Sequence, residues 1–147
     1  MTGPTGGCIV VDASVAIKWV VYQPGSDEAL RHLHDWVRSG VTLAAPPLLR
    51  YEAVNVLHQC VRRGSISADR ALASLHALLD IPLVYPEESD RRAVQSLAWA
   101  HAFGLPAAHD AAYLALADAL GAVLWTADRQ LADRASEHVA VEVLAYR

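Results

Sequence analysis

Four acidic side chains stand where the surrounding pattern has no use for charge. Asp12 closes the apolar run Cys8-Ile9-Val10-Val11 and is followed by Ala13 and Ser14. Such a run predicts a strand buried on both faces, and ligands of open α/β sheets sit beyond the carboxyl ends of their strands. Asp128 stands two residues after a second apolar run, Ala122-Val123-Leu124-Trp125-Thr126. Asp110 has Tyr113, Leu114 and Ala117 at i+3, i+4 and i+7, so a helix there puts it on its own apolar stripe. Glu52 falls between Leu49 and Val56, at the edge of a stripe that also takes Ala53, Leu57 and Cys60.

Each acid alone has a structural explanation. Asp110 suits the positive end of a helix. Asp128 suits an N-cap, and Glu52 a solvated helix face. Together they strain that explanation, because unpaired buried carboxylates are costly and no Lys or Arg has an equally compelling inward position. A divalent cation is the economical counter-charge, and an all-oxygen ligand set selects Mg²⁺ or Mn²⁺. The chemistry implied is metal-assisted phosphodiester hydrolysis. The seven histidines show no metal-ligand spacing; only His109 directly adjoins one of the acids, Asp110.

The elements that must carry these residues follow from periodicity and punctuation. After the first strand, Ser14 to Val21 reads as one or two helical turns with Ser14 as N-cap. Ser26 to Ser39 reads as an amphipathic helix capped by Ser26 and stopped at Gly40. Val41 to Ala45 is a short strand, and Pro46-Pro47 opens a helix running to Arg63. Ser67 begins another helix, to Asp80. Ile81 to Tyr85 is a third strand. Helices follow over Glu88–Phe103 and Ala108–Leu120, then a strand over Ala122–Thr126, a short helix over Ala127–Ser136 and a last strand over Val139–Leu144. This alternation predicts an α/β three-layer sandwich with a short, mainly parallel central sheet; the two successive helices Pro46–Arg63 and Ser67–Asp80 form a helical arm beside it.

At 147 residues, 54% hydrophobic and 19% charged, the chain predicts one domain, with apolar surface to spare for a partner. Residues 1–7, rich in Gly, Pro and Thr, read as a flexible tail, leaving 8–147 as the domain. Cys8 and Cys60 each fit an apolar pattern, as buried free thiols. Free thiols fit a cytoplasmic location, and no apolar stretch approaches the roughly 20 residues needed to span a bilayer. A net charge of −4 argues against a general nucleic-acid coating protein but not against a nuclease, whose metal-binding acids add negative charge locally.

Four segments together resemble a known family: Val10-Val11-Asp12-Ala13-Ser14, Tyr51-Glu52-Ala53-Val54-Asn55-Val56-Leu57, His109-Asp110-Ala111-Ala112-Tyr113-Leu114-Ala115-Leu116-Ala117, and Leu124-Trp125-Thr126-Ala127-Asp128. In order and spacing they are similar to PIN-domain ribonucleases of the VapC toxin type, from about Cys8 to the C-terminus. The resemblance implies a single PIN domain and an Mg²⁺- or Mn²⁺-dependent endoribonuclease, the toxin component of a type II (VapBC) module. It implies homodimerisation and a small VapB-like antitoxin as partner. Asp12, Glu52, Asp110 and Asp128 would form the catalytic quartet. Asp12 and Asp110 would be the principal metal ligands, Glu52 and Asp128 would complete the site in part through water, and Ser14 and Thr126 would support it. His109 departs from the pattern, since many relatives carry an aromatic residue before the third acid.

Lys18 and Arg129 lie nearest the acids in sequence and are the expected RNA contacts, with Arg50, Arg62, Arg63 and Arg134 as further candidates. Trp19, Trp36 and the helices Ser26–Ser39 and Pro47–Arg63 either form a groove for a partner or belong to the core. Two alternatives remain: a PIN nuclease in RNA processing without an antitoxin, and a phospho-receiver-like domain. The receiver pattern wants an acidic pair after the first strand and a lysine after a late one; here Val11 precedes Asp12, and Val139 to Arg147 holds no lysine.

Overall fold

Alternating apolar strands and amphipathic helices settle into a five-stranded sheet with every pairing parallel. The structure, a computed structural model, describes residues 7–147. The tail expected over residues 1–7 lies outside it except for Gly7, whose carbonyl accepts from the Thr42 N–H at 2.9 Å. The strands are β1 (Cys8–Val11), β2 (Thr42–Ala44), β3 (Leu83–Val84), β4 (Val123–Thr126) and β5 (Val141–Val143), in the order β3-β2-β1-β4-β5. The helices are α1 (Ala13–Val20), α2 (Ser26–Arg38), α3 (Leu48–Arg62), α4 (Ala68–Asp80), α5 (Asp90–Ala102), α6 (His109–Leu120) and α7 (Arg129–Ala135).

Successive residues of a strand face opposite sides of its sheet. Val10 and Val11 on β1 are both fully buried, and Leu43 and Ala44 on β2 are nearly so. Helices therefore cover both faces, which makes three layers. α1 packs on α2, α3 and α4; α6 pairs with α5 and lies against β1 and β4; α7 lies against β4 and β5. The helical arm is α3 packed on α4, as the uninterrupted helix pair predicts. Both cysteines are free thiols, but only Cys60 is buried as expected; Cys8, at the start of β1, is half-buried. Among the described residues no helix is long and apolar enough to cross a membrane.

The structure corrects several expectations. Asp12, not Ser14, caps α1, accepting from the Val15 N–H at 3.3 Å. Gly25, at φ 92°, occupies the cap position of α2, while Ser26 is the first helical residue. The Ser26 hydroxyl turns back on the preceding turn, accepting from the Gln23 N–H and donating to the Val21 carbonyl. Trp19 and Trp36 are core residues, not the wall of a groove; Trp19 donates to the Ala29 carbonyl at 3.0 Å.

Lys18 is the largest correction. Its side chain is only 6% exposed, so it is no RNA contact. The ammonium donates to the Pro24 carbonyl at 2.8 Å and Gln23 Oε1 at 3.3 Å, and lies 4.8 Å from the centre of the Tyr146 ring. A buried ammonium needs such partners, and these consume its donors. The same ring packs on Gly25, where an added Cβ would stand 2.9 Å from Tyr146 Cδ1.

Gly25→Ala should therefore destabilise the protein by about 1–3 kcal/mol, part from the left-handed backbone and part from the ring. In a double-mutant cycle read by urea denaturation, Tyr146→Ala should absorb the steric part and leave the backbone part. Strict additivity would show that ring and glycine are independent.

Candidate active site

Two groups of side chains carry the four acids: Asp12 and Asp128 with Ser14 and Thr126 at the carboxyl ends of β1 and β4, and Glu52 and Asp110 with Tyr113 and His109 on α3 and α6. The backbone prepares the place. The Asp12 N–H donates to the Trp125 carbonyl at 3.1 Å, which continues the parallel ladder one residue past the strand and aligns the two strand ends. Asp12 is 7% exposed. One carboxylate oxygen, Oδ1, accepts from the Ser14 hydroxyl at 2.5 Å as well as from Val15; Oδ2 accepts from the Thr126 hydroxyl at 2.5 Å. Ser14 Oγ in turn accepts from the Ala127 N–H at 2.8 Å, and Thr126 Oγ1 from the Asp128 N–H at 3.0 Å. Two short side chains thus bolt β4 to β1 through one carboxylate.

Asp128 caps α7 with Oδ1, which accepts from Gln130 and Leu131. Its Oδ2 takes part in neither bond. Glu52 comes from α3. Oε1 accepts from the Tyr113 hydroxyl and Oε2 lies 3.3 Å from His109 Nε2. Asp110, in the first turn of α6, has Oδ1 3.6 Å from the same imidazole nitrogen.

Electrostatics joins the two halves. Burial holds the Asp12 carboxyl well above the usual range, at about 6, even though its hydrogen bonds pull the other way. Burial also raises Asp110; His109 opposes that shift and the nearby charge of Asp128 adds to it. The Tyr113 phenol is pushed up by burial, by its bond to Glu52, and by the charges of Asp12 and Asp110. Asp12, Glu52 and Asp110 thus act electrostatically on Tyr113, and Asp128 acts on Asp110.

Ser14 and Thr126 both donate to the Asp12 carboxylate. Tyr113 and His109 do more than their sequence positions promise. A buried tyrosine needs a partner for its hydroxyl, and Tyr113 sits one helical turn after Asp110; that combination is the available signal. Arg129 is exposed at the start of α7, beside Asp128.

The donor set fits a hard divalent cation. Among the described residues no ammonium or guanidinium pairs with the four acids, and His109 is the basic group they meet. Among the described residues no three His, Cys, Asp or Glu side chains stand close enough together to hold one ion. Mg²⁺ does not ask for three: it retains several waters and commonly takes only one or two carboxylates.

Known proteins share this sequence pattern and this fold. A family model described as "PIN domain" matches residues 9–137. Ribonuclease VapC12 of Mycobacterium tuberculosis is 30% identical over 138 residues, covering 93% of this chain and 99% of that protein. Ribonuclease VapC3 of Pyrobaculum aerophilum is 33% identical over 131 residues, covering 86% and 93%. The structure of VapBC2 from Rickettsia felis bound to a DNA fragment from their promoter superposes with a TM-score of 0.72 at 14% identity, covering 94% of this chain and 99% of that one.

Unfolded aspartates release their protons at about pH 4, whereas folded Asp12 keeps its proton to about 6. Between those values the folded state binds more protons, so metal-free stability falls as pH rises through the window and levels off above it. Asp12→Asn should flatten that fall. At pH 8 in chelator the variant should exceed wild type by about 1–3 kcal/mol in urea denaturation. Parallel stability–pH curves for the two proteins would show that the buried charge carries no such penalty.

Proposed function

The chain belongs to the PIN-domain family, and from that premise we propose that it is a divalent-metal-dependent endoribonuclease acting at the Asp12–Glu52–Asp110–Asp128 cluster. The observation that carries this reading is Asp12: a carboxylate buried at a strand end, fixed by two hydroxyls and an N–H, and without a cationic side chain. Mg²⁺ is the proposed ion, with Mn²⁺ as substitute; Asp12 and Asp110 would hold it directly, and Glu52 and Asp128 would complete the site in part through water. When bound, such an ion supplies counter-charge to a phosphate oxygen and acidity to a water.

The chain's own groups do the rest. Ser14 and Thr126 fix both Asp12 oxygens, so the carboxylate keeps one orientation. Tyr113 does the same for one oxygen of Glu52. His109 bridges Glu52 and Asp110 and lies 52% exposed, where it can meet substrate or solvent. Asp128 is held by the first turn of α7 with one oxygen turned away from the cap. With Lys18 enclosed, Arg129 is the proposed RNA contact nearest the acids.

The partners proposed are a second copy of the chain and a small VapB-like antitoxin, making this protein the toxin component of a VapBC-type pair. Two observations support a protein partner: relatives that match nearly end to end carry VapC names, and α3 and α4 leave Val54 and Leu72 exposed along the seam of the arm. The homodimer is checked by light scattering, which should return twice the chain mass of 15.9 kDa.

Purified wild-type protein should cleave RNA in Mg²⁺ and stop in excess chelator. Asp12→Asn and Asp110→Asn should each lose at least about 100-fold in rate, and Thr126→Val about 10–100-fold, while remaining folded. Millimolar Mg²⁺ should raise the melting temperature of wild type at pH 8, because the ion binds the folded form, and should leave Asp12→Asn unmoved. Undiminished cleavage by both Asn variants would sink the assignment.

A further inference from the structure

An open cleft of about 320 Å³ runs between α5 and the start of α6. Pro46 and Leu97 contribute apolar wall; Arg92, Ser96 and Glu88 contribute polar groups; His109 closes one end. That same His109 ring stands between Glu52 and Asp110. The cleft and the carboxylate cluster are therefore neighbours with one imidazole between them.

We propose that this cleft is a nucleotide subsite: it seats the nucleoside adjacent to the scissile bond, with Arg92 on the phosphate attached to it. This rests on the ribonuclease reading. Four clustered acids repel a polyanion, so an RNA strand must be drawn in by positive charge set to one side of them. Arg92 has the right place and freedom. One of its N–H groups donates to the Glu87 carbonyl at 2.5 Å, which anchors the guanidinium. Its other donors meet no carboxylate among the described residues. A planar guanidinium with free N–H groups suits phosphate.

The rest of the cleft suits what a phosphate brings with it. Its volume is at the small end for ligand pockets, enough for one nucleoside and too small for a duplex. Apolar wall beside polar groups matches a base face and its ribose. Ser96 lines the cleft and donates to the Arg92 carbonyl at 2.7 Å, so toward a bound ribose its hydroxyl would act as an acceptor. Glu88 can only accept, so it favours a base edge that presents an amino group and resists a second phosphate.

The test compares wild type with Arg92→Gln, Arg92→Lys, Leu97→Trp and the remote Arg70→Gln. Steady-state cleavage of a labelled single-stranded RNA is measured from 50 to 200 mM salt. Arg92→Gln should raise KM about tenfold with kcat little changed, and lower the salt slope by about 0.7, one single-strand phosphate contact. Arg92→Lys should recover part of the loss. Leu97→Trp should raise KM by filling the cleft, and Arg70→Gln should behave as wild type. The Mg²⁺-induced rise in melting temperature should be the same in all of them.

Wild-type KM and salt slope in both Arg92→Gln and Leu97→Trp would overturn the proposal. So would loss of the Mg²⁺ response in Arg92→Gln, since Arg92 would then serve the metal site. If wild type cleaves no RNA, the ribonuclease reading fails separately. Anisotropy with a 2′-O-methyl RNA then decides the cleft: Arg92-dependent binding upholds it, and absence of binding removes it.

Discussion

A single buried carboxylate ties this fold together and strains it at the same time. Asp12 caps α1, receives the Ser14 and Thr126 hydroxyls, and through them reaches the backbone of Ala127 and Asp128. Oδ1 keeps the Val15 N–H if Ser14 is lost, but removing the Thr126 hydroxyl would leave Oδ2 desolvated and without a donor. Yet burial still outweighs the donors and disfavours the charged form. The molecule thus commits hydrogen bonds to holding in place a charge it would be more stable without. That pattern is expected where a site must be ready before its ligand arrives.

The surrounding architecture makes the strain tolerable. β1 and β4 are central in the sheet, and Val10, Val11, Leu124 and Thr126 are wholly buried around the carboxylate. Helices on both faces leave only the strand ends open. The other acids arrive from α3, α6 and the turn before α7, each on a different element. Their mutual repulsion is consequently resisted by packing that would have to come apart before they could separate. Tyr113 shows how economical the arrangement is: one side chain belongs to the core by its ring and to the site by its hydroxyl.

Much of this is legible in the residues themselves. Each strand and helix can be placed within a few residues, because apolar periodicity and Gly or Pro punctuation agree with the global fold. The acids stand out because they interrupt that periodicity. What the pattern leaves open is set by contacts across the chain. Lys18 looks like an ordinary helix cation near the site until Pro24 and Tyr146 are seen to enclose it. Ser14 and Asp12 are both good caps, and local pattern does not choose between them; Thr126, more than a hundred residues on, does. Trp19 and Trp36 could line a groove or fill a core, and only the packing of α1 against α2 decides. The α5–α6 cleft has no sequence signature, since its walls come from three separated segments.

The strand order has a consequence for how the protein comes into being. Asp12 is made more than a hundred residues before Thr126, and neither β1 nor its carboxylate has its final neighbour until β4 emerges from the ribosome. Parallel pairing over such separation is slow to form, because a long loop must close before any contact rewards it. A nascent or truncated chain that stops before β4 therefore carries Asp12, Glu52 and Asp110 without Asp128 and without the strand that aligns them. An enzyme that attacks RNA would be inert throughout the interval in which its own messenger and ribosome lie within reach.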